Sequence, residues 1–161
     1  MILFADSFDH YVTANMAAKW DGGLHGSASI GASFGRNSTA GSTPNQTQRR
    51  NIQQNLVTAW MAGAVKVQAY STASTSNKVL AEWCEGGSVQ MSLTLASDGN
   101  LRLYRGALNG GIVIAGPTPS GVTWTAAHQH VQWKITIDSS AGTSEVKING
   151  VTVMNLSLIH I

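Results

Sequence analysis

Two glutamates three residues apart, in Glu82-Trp83-Cys84-Glu85, are this chain's nearest approach to a pair of catalytic carboxylates. Retaining glycoside hydrolysis needs two carboxyl groups about 5 Å apart across the scissile bond. A strand alternates its side chains between its two faces, so a spacing of three sends Glu82 and Glu85 to opposite sides. Glu85 also runs into the turn-forming pair Gly86-Gly87. Both carboxylates read as solvated, and the chain as no enzyme. His128-x-His130 puts two imidazoles on the same side of a strand, the beginning of a zinc site. No carboxylate or cysteine nearby completes a set, so a surface or hydrogen-bonded pair is the better reading. Asp6, Asp9 and Asp21 offer the clustered oxygens that calcium takes, but a strand start and a loop explain them without metal. No cofactor is expected. Cys84 has the acidic Glu85 beside it, which works against a thiolate, and reads as an inert core thiol. Gly86-Gly87 and Gly110-Gly111 lack the lysine and the following helix of a phosphate-binding loop.

Sugar recognition asks for aromatic faces. Tyr70 and Tyr104 occupy outward-facing parities of their strands, and Trp124 is ambiguous; these are the candidate carbohydrate-binding residues. Cross-strand packing explains each tyrosine equally well. Trp20, Trp60, Trp83 and Trp133 read as core.

Composition narrows the partners. Only 11% of the 161 residues are charged, against about 25% in an ordinary soluble domain. Solubility rests instead on 17 Ser and 14 Thr hydroxyls and on amides. Hydrophobic residues at 43% supply a core, which excludes a disordered chain. A net charge of +2, with Arg49-Arg50 the sole basic pair, supplies no stripe of phosphate contacts, so nucleic acid is not an expected partner. No apolar run reaches the 18 residues of a membrane-spanning helix. Met1-Ile2-Leu3-Phe4-Ala5-Asp6 lacks the basic region and the apolar length of a signal peptide. Without one, the triplets at Asn37 and Asn45 are chance matches to the glycosylation pattern.

The elements that must position these residues are strands. Val89, Met91, Leu93 and Leu95 alternate with Gln90, Ser92 and Thr94, the period-two signature of a strand with one buried face. Asp98-Gly99-Asn100 then turns the chain into Leu101 and Leu103, which alternate with Arg102 and Tyr104. Val131, Trp133, Ile135 and Ile137 repeat the pattern against Gln132, Lys134, Thr136 and Asp138. Glu145 to Ile148 pairs through Asn149-Gly150 with Val151 to Val153, and earlier strands are expected at 27–34, 52–60, 64–70 and 78–83. Residues 37–51 read as a long loop. With no helical periodicity, many short strands and Gly/Ser/Asn turns predict one all-β domain, a two-sheet antiparallel sandwich.

Several runs carry a resemblance. They are Phe4-Ala5-Asp6-Ser7-Phe8-Asp9-His10-Tyr11 with Lys19-Trp20-Asp21, then Gly35-Arg36, then the hairpin Asp98 to Gly106. Trp124, His130 to Ile137, Gly142 and Glu145 to Gly150 complete the set. Together they resemble the concanavalin A-like (laminin G-like) jelly-roll proteins among tailed-bacteriophage structural proteins. Gln132 stands where related sequences often carry Glu. The resemblance implies a jelly roll that decorates a capsid or sits in a tail or fibre, made in the host cytoplasm and located in the virion. Its implied function is non-enzymatic, through protein contacts with other virion subunits. The alternative is a lectin-like carbohydrate-binding module that recognises host-surface glycans. A glycoside hydrolase comes third, because the Glu-x-Asp-x-x-Glu strand motif of the glucanases of this fold is absent.

Leu156-Ser157-Leu158-Ile159-His160-Ile161 can be encoded as CTG TCT CTT ATA CAC ATC, which resembles a transposon-end sequencing adaptor. On that reading residues 1–155 are an incomplete jelly-roll domain, a metagenomic fragment lacking its final strands, and 156–161 are non-native. The other reading is an ordinary apolar last strand, and the codons of the nucleotide record decide between them. Similar proteins continue through further strands, the last of which commonly lies beside the first. On the incomplete reading, 2–8 is left as an unpaired edge.

Overall fold

The computed structural model describes residues 57–65, 77–85, 87–117, 128–138 and 140–159. The expectations placed on 2–8, 27–34, 37–51 and on Asp6, Asp9, Trp20, Asp21, Tyr70 and Trp124 lie outside these residues. The described chain is all-β, with β1 Thr58–Val65, β2 Lys78–Glu85, β3 Ser88–Leu95 and β4 Leu101–Arg105. They are followed by β5 Ile112–Ala115, β6 Gln129–Thr136, β7 Gly142–Ile148 and β8 Val151–Ile159. Every pairing is antiparallel. Two four-stranded sheets result, in the orders β1-β6-β7-β8 and β2-β3-β4-β5. Among the described residues no helix is long and apolar enough to cross a membrane.

Alternation builds the core between the sheets. Met91, Leu93 and Leu95 of β3 and Leu101 and Leu103 of β4 are buried from one sheet; Val131, Trp133 and Ile135 of β6 and Val146 and Ile148 of β7 are buried from the other. All belong to one apolar cluster, as a β-sandwich requires. Trp83 of β2 and Trp133 of β6 bridge the sheets, their ring centroids 6.1 Å apart and tilted by 58°, a geometry that suits the aromatic quadrupole. The buried Trp133 indole N–H donates to Ser144 Oγ at 2.8 Å, so its one polar atom is satisfied inside the core.

Turn chemistry sets the registers. Asn149 and Gly150 connect the pair Ile148↔Val151 with φ of 51° and 84°, the two positive values of a two-residue hairpin turn. Asn149 Oδ1 also accepts from His130 N at 2.8 Å, which ties the turn to β6. The Asp98 hairpin is longer than a tight turn. Leu95 and Leu101 form its last pair, and Ala96 N donates to Asn100 O at 2.8 Å. Asp98 accepts from Asn100 N at 3.0 Å and from the Arg102 guanidinium. These bonds hold its carboxyl down to about 2, with Arg102 the largest cause.

The structure corrects several expectations. One strand, β1, runs through Met61-Ala62-Gly63, where the sequence suggests a break between strands at 52–60 and 64–70. The second of those lies outside the described residues beyond Val65. Ile112–Ala115 is a strand that short apolar sequence without alternation does not announce. Ile137 lies beyond the end of β6 and is 41% exposed, its N–H donating to Val57 O. β8 extends past Val153 as far as Ile159. A register shift between Val146 and Lys147 leaves Val153 out of the ladder, and the bulge turns Met154 and Leu156 toward the core.

Candidate functional site

The outer surface of β1-β6-β7-β8 is where the described chain concentrates accessible polar chemistry. Register alone assembles it. Trp60 pairs with Lys134, Lys134 with Glu145, and Glu145 with Asn155, one row that crosses all four strands. A second row joins Ala62, Gln132, Lys147 and Thr152. A third joins Thr58, Thr136, Thr143 and Ser157. Neighbouring groups in a row stand about 4.8 Å apart, the strand spacing. Each of these side chains is exposed or half-buried.

Side-chain contacts order the face. Lys134 Nζ lies 5.1 Å from the Trp60 ring centroid, a cation–π distance. Lys147 Nζ is 3.3 Å from Glu145 Oε1, and Thr152 Oγ1 donates to the same oxygen at 3.0 Å. The Glu145 carboxyl is held below its ordinary range, most strongly by the Thr152 hydroxyl; partial desolvation opposes this, and Lys147 and then Lys134 add to the lowering. Thr58 Oγ1 and Thr136 Oγ1 share a hydrogen bond of 3.1 Å. Glu145 and Lys147 therefore engage each other and Lys134 engages the indole, while the amides of Gln132 and Asn155 and the exposed part of the Trp60 ring face outward.

Trp60 corrects the sequence reading: expected in the core, it is 56% exposed. In β1 the core position belongs to Ala59, at 7% exposure, because Ala59 faces Ile135 while Trp60 faces the outward-pointing Lys134. Cys84 is corrected likewise. It is exposed, next to a register shift between Trp83 and Cys84 at the end of β2.

The candidates named from sequence do not converge here. Tyr104 lies on β4 in the other sheet and is 8% exposed, its hydroxyl accepting from Asn77 Nδ2 at 3.5 Å. The ring is packed rather than presented. Its neighbours on that face, Ser92 and Thr94, are fully buried. Their hydroxyls donate back to Gly106 O at 2.7 Å and Arg102 O at 3.3 Å, which replaces solvent. Tyr70 and Trp124 lie outside the described residues. Glu82 is half-buried and accepts from Ser92 Oγ at 3.4 Å, whereas Glu85 is exposed at the end of β2. His130 is exposed on β6 and His128 half-buried just before it. Among the described residues no group of three or more His, Cys, Asp and Glu could hold a metal ion.

A different surface borders the second sheet. β5, last in the order β2-β3-β4-β5, exposes two consecutive apolar side chains, Ile112 at 58% and Val113 at 46%. Consecutive strand residues point to opposite faces, so this strand is apolar on both sides. Comparison of the chain with family models, with curated proteins and with solved structures returned no match.

Proposed function

We propose that this chain is a non-enzymatic structural protein of a phage virion, a concanavalin A-like jelly roll that decorates the capsid or belongs to a tail or fibre and acts through protein contacts. The sequence resemblance supplies the setting. The observation that carries the contact role is the apolar β5, with Ile112 and Val113 both exposed at the end of its sheet order. Side chains of this kind favour the desolvated centre of a protein interface. Mass spectrometry of gradient-purified virions of the encoding phage tests the reading. Stoichiometric presence in the particle, lost in a phage carrying I112K and V113K, is the expected result. Its absence from purified particles overturns the proposal.

A second reading, glycan recognition by the virion or by a cell-surface protein, is favoured by a separate observation. A 56%-exposed indole shares its face with hydroxyls, amides and the Lys147–Glu145 ion pair. Saturable retention on a glycan array supports it, and uniform lack of retention removes it.

A further inference from the structure

We propose that the face centred on Trp60 is the binding site for a neutral polysaccharide; this rests on the glycan reading above and gives it a location and a ligand class. A pyranose ring presents a patch of C–H bonds to an aromatic face and a rim of hydroxyls to hydrogen-bonding neighbours. Trp60 supplies that aromatic face, more than half exposed. Lys134 Nζ lies over the ring, 5.1 Å from its centroid, a cation–π contact that favours one orientation of the indole. Preorganisation of this kind lowers the entropy lost on binding. Along the rows, Gln132 and Asn155 offer amides that can both donate and accept. Thr58, Thr136 and Thr152, already bonded to one another or to Glu145, keep lone pairs that accept from sugar hydroxyls.

Charge selects the neutral class. Lys134 and Lys147 oppose the single carboxylate Glu145 on these rows, and Glu145 is bonded to Lys147 and Thr152. Among the described residues the face therefore lacks the several uncommitted cations that nucleic acid or a polyanion requires. A protein partner fits it less well, since charged groups are depleted from the centre of protein interfaces and here they adjoin the one aromatic ring. The four-strand surface, with hydrogen-bonding groups repeating at about 4.8 Å, suits an extended chain of sugars more than a single one.

Affinity electrophoresis of the full chain through gels containing laminarin, yeast mannan, galactomannan or polygalacturonate is the test, with Trp60→Ala and Trp60→Tyr run alongside. The expected result is retardation by at least one neutral polysaccharide that persists in about 1 M NaCl, where screening acts within about 3 Å. Trp60→Ala weakens it by about tenfold or more, the loss of one central anchor, while Trp60→Tyr retains part of it. Circular dichroism of both variants confirms the native fold, as an exposed side chain allows. Retardation of the native chain that Trp60→Ala leaves unchanged overturns this site and leaves glycan recognition standing. Retardation by polygalacturonate alone, abolished by salt, overturns the neutral ligand class. No retardation by any of the four removes the glycan reading together with this site.

Discussion

Ser144→Ala tests whether the inter-sheet core depends on the satisfied indole of Trp133. Both residues are 1% exposed, and Trp133 Nε1 donates to Ser144 Oγ at 2.8 Å. Water has no access to replace the lost acceptor. The substitution removes one heavy atom, so its cavity term is small, and most of its cost is a buried donor left unmade. That penalty is about 1–3 kcal/mol. Urea unfolding followed by far-ultraviolet circular dichroism, which does not use Trp133 as its reporter, should show the midpoint fall by roughly 1 M. The decisive arm repeats Ser144→Ala in a Trp133→Phe background, where the donor no longer exists. There the same change should cost under about 0.5 kcal/mol, giving a coupling energy of about 1–2 kcal/mol. Equal costs in the two backgrounds would refute the reasoning and assign the effect to packing alone.

Other outcomes follow from the same structure. Among the described residues, Trp83 Nε1 is buried with no hydrogen-bond partner, so Trp83→Phe removes an unsatisfied donor and should destabilise less than Trp133→Phe in the same urea assay, by about 1 kcal/mol or more. Asn149→Ala keeps φ of 51° without the short polar side chain that makes it tolerable and removes the acceptor for His130 N; a loss of about 1–3 kcal/mol is expected by thermal melting, and less for Asn149→Gly. A Cβ at Gly111 would lie 2.3 Å from Ala107 O and 2.7 Å from Arg105 O, so Gly111→Ala should break the β4–β5 turn and lower the melting temperature by several degrees. The folded Asp98 carboxyl titrates near 2, below its ordinary 3.8; its bonds therefore stabilise fully above about pH 4 and fade as pH falls toward 2. The melting difference between the native chain and Asp98→Asn should shrink over that window, and it should be small throughout because the Asp98 side chain is 44% exposed.

The strands that are legible from sequence are those whose two faces differ strongly. In β3 and β6, large apolar side chains alternate with Ser, Thr, Gln and Lys, and their cores at Met91, Leu93, Trp133 and Ile135 follow the alternation. The Asn149-Gly150 hairpin is legible for a local reason, because its two positive φ angles suit Asn and Gly. Other features depend on information from elsewhere in the chain. Ile112–Ala115 is uniformly apolar and therefore carries no parity. Ser92 and Thr94 look like solvent-facing hydroxyls, yet both are fully buried with their hydroxyls returned to backbone carbonyls. In β8 the bulge at Val153 exchanges the two faces partway along, so a pattern extended from Val151 would put Met154 on the wrong side.

The face carrying Trp60 was hidden for a related reason. Thr58-Ala59-Trp60-Met61-Ala62-Gly63-Ala64-Val65 contains four small residues that could face either way, and an isolated tryptophan in such a strand defaults to the interior. The partner strand decides. The parity of β6 is unambiguous, and once Ala59 lies opposite Ile135, Trp60 must lie opposite Lys134. The indole is then placed by a residue more than seventy positions away, information that no local window contains. Its position also separates the two roles a tryptophan can have. Outside the core, Trp60 contributes to folding little beyond an exposed cation–π contact of about 0.5–1 kcal/mol, against the 3–5 kcal/mol typical of truncating a buried Trp. Trp60→Ala should therefore leave the unfolding midpoint nearly unchanged while weakening polysaccharide retention about tenfold, the central-anchor loss. A large loss of stability from that one change would mean that the side chain is packed and that the outer face is not a binding surface.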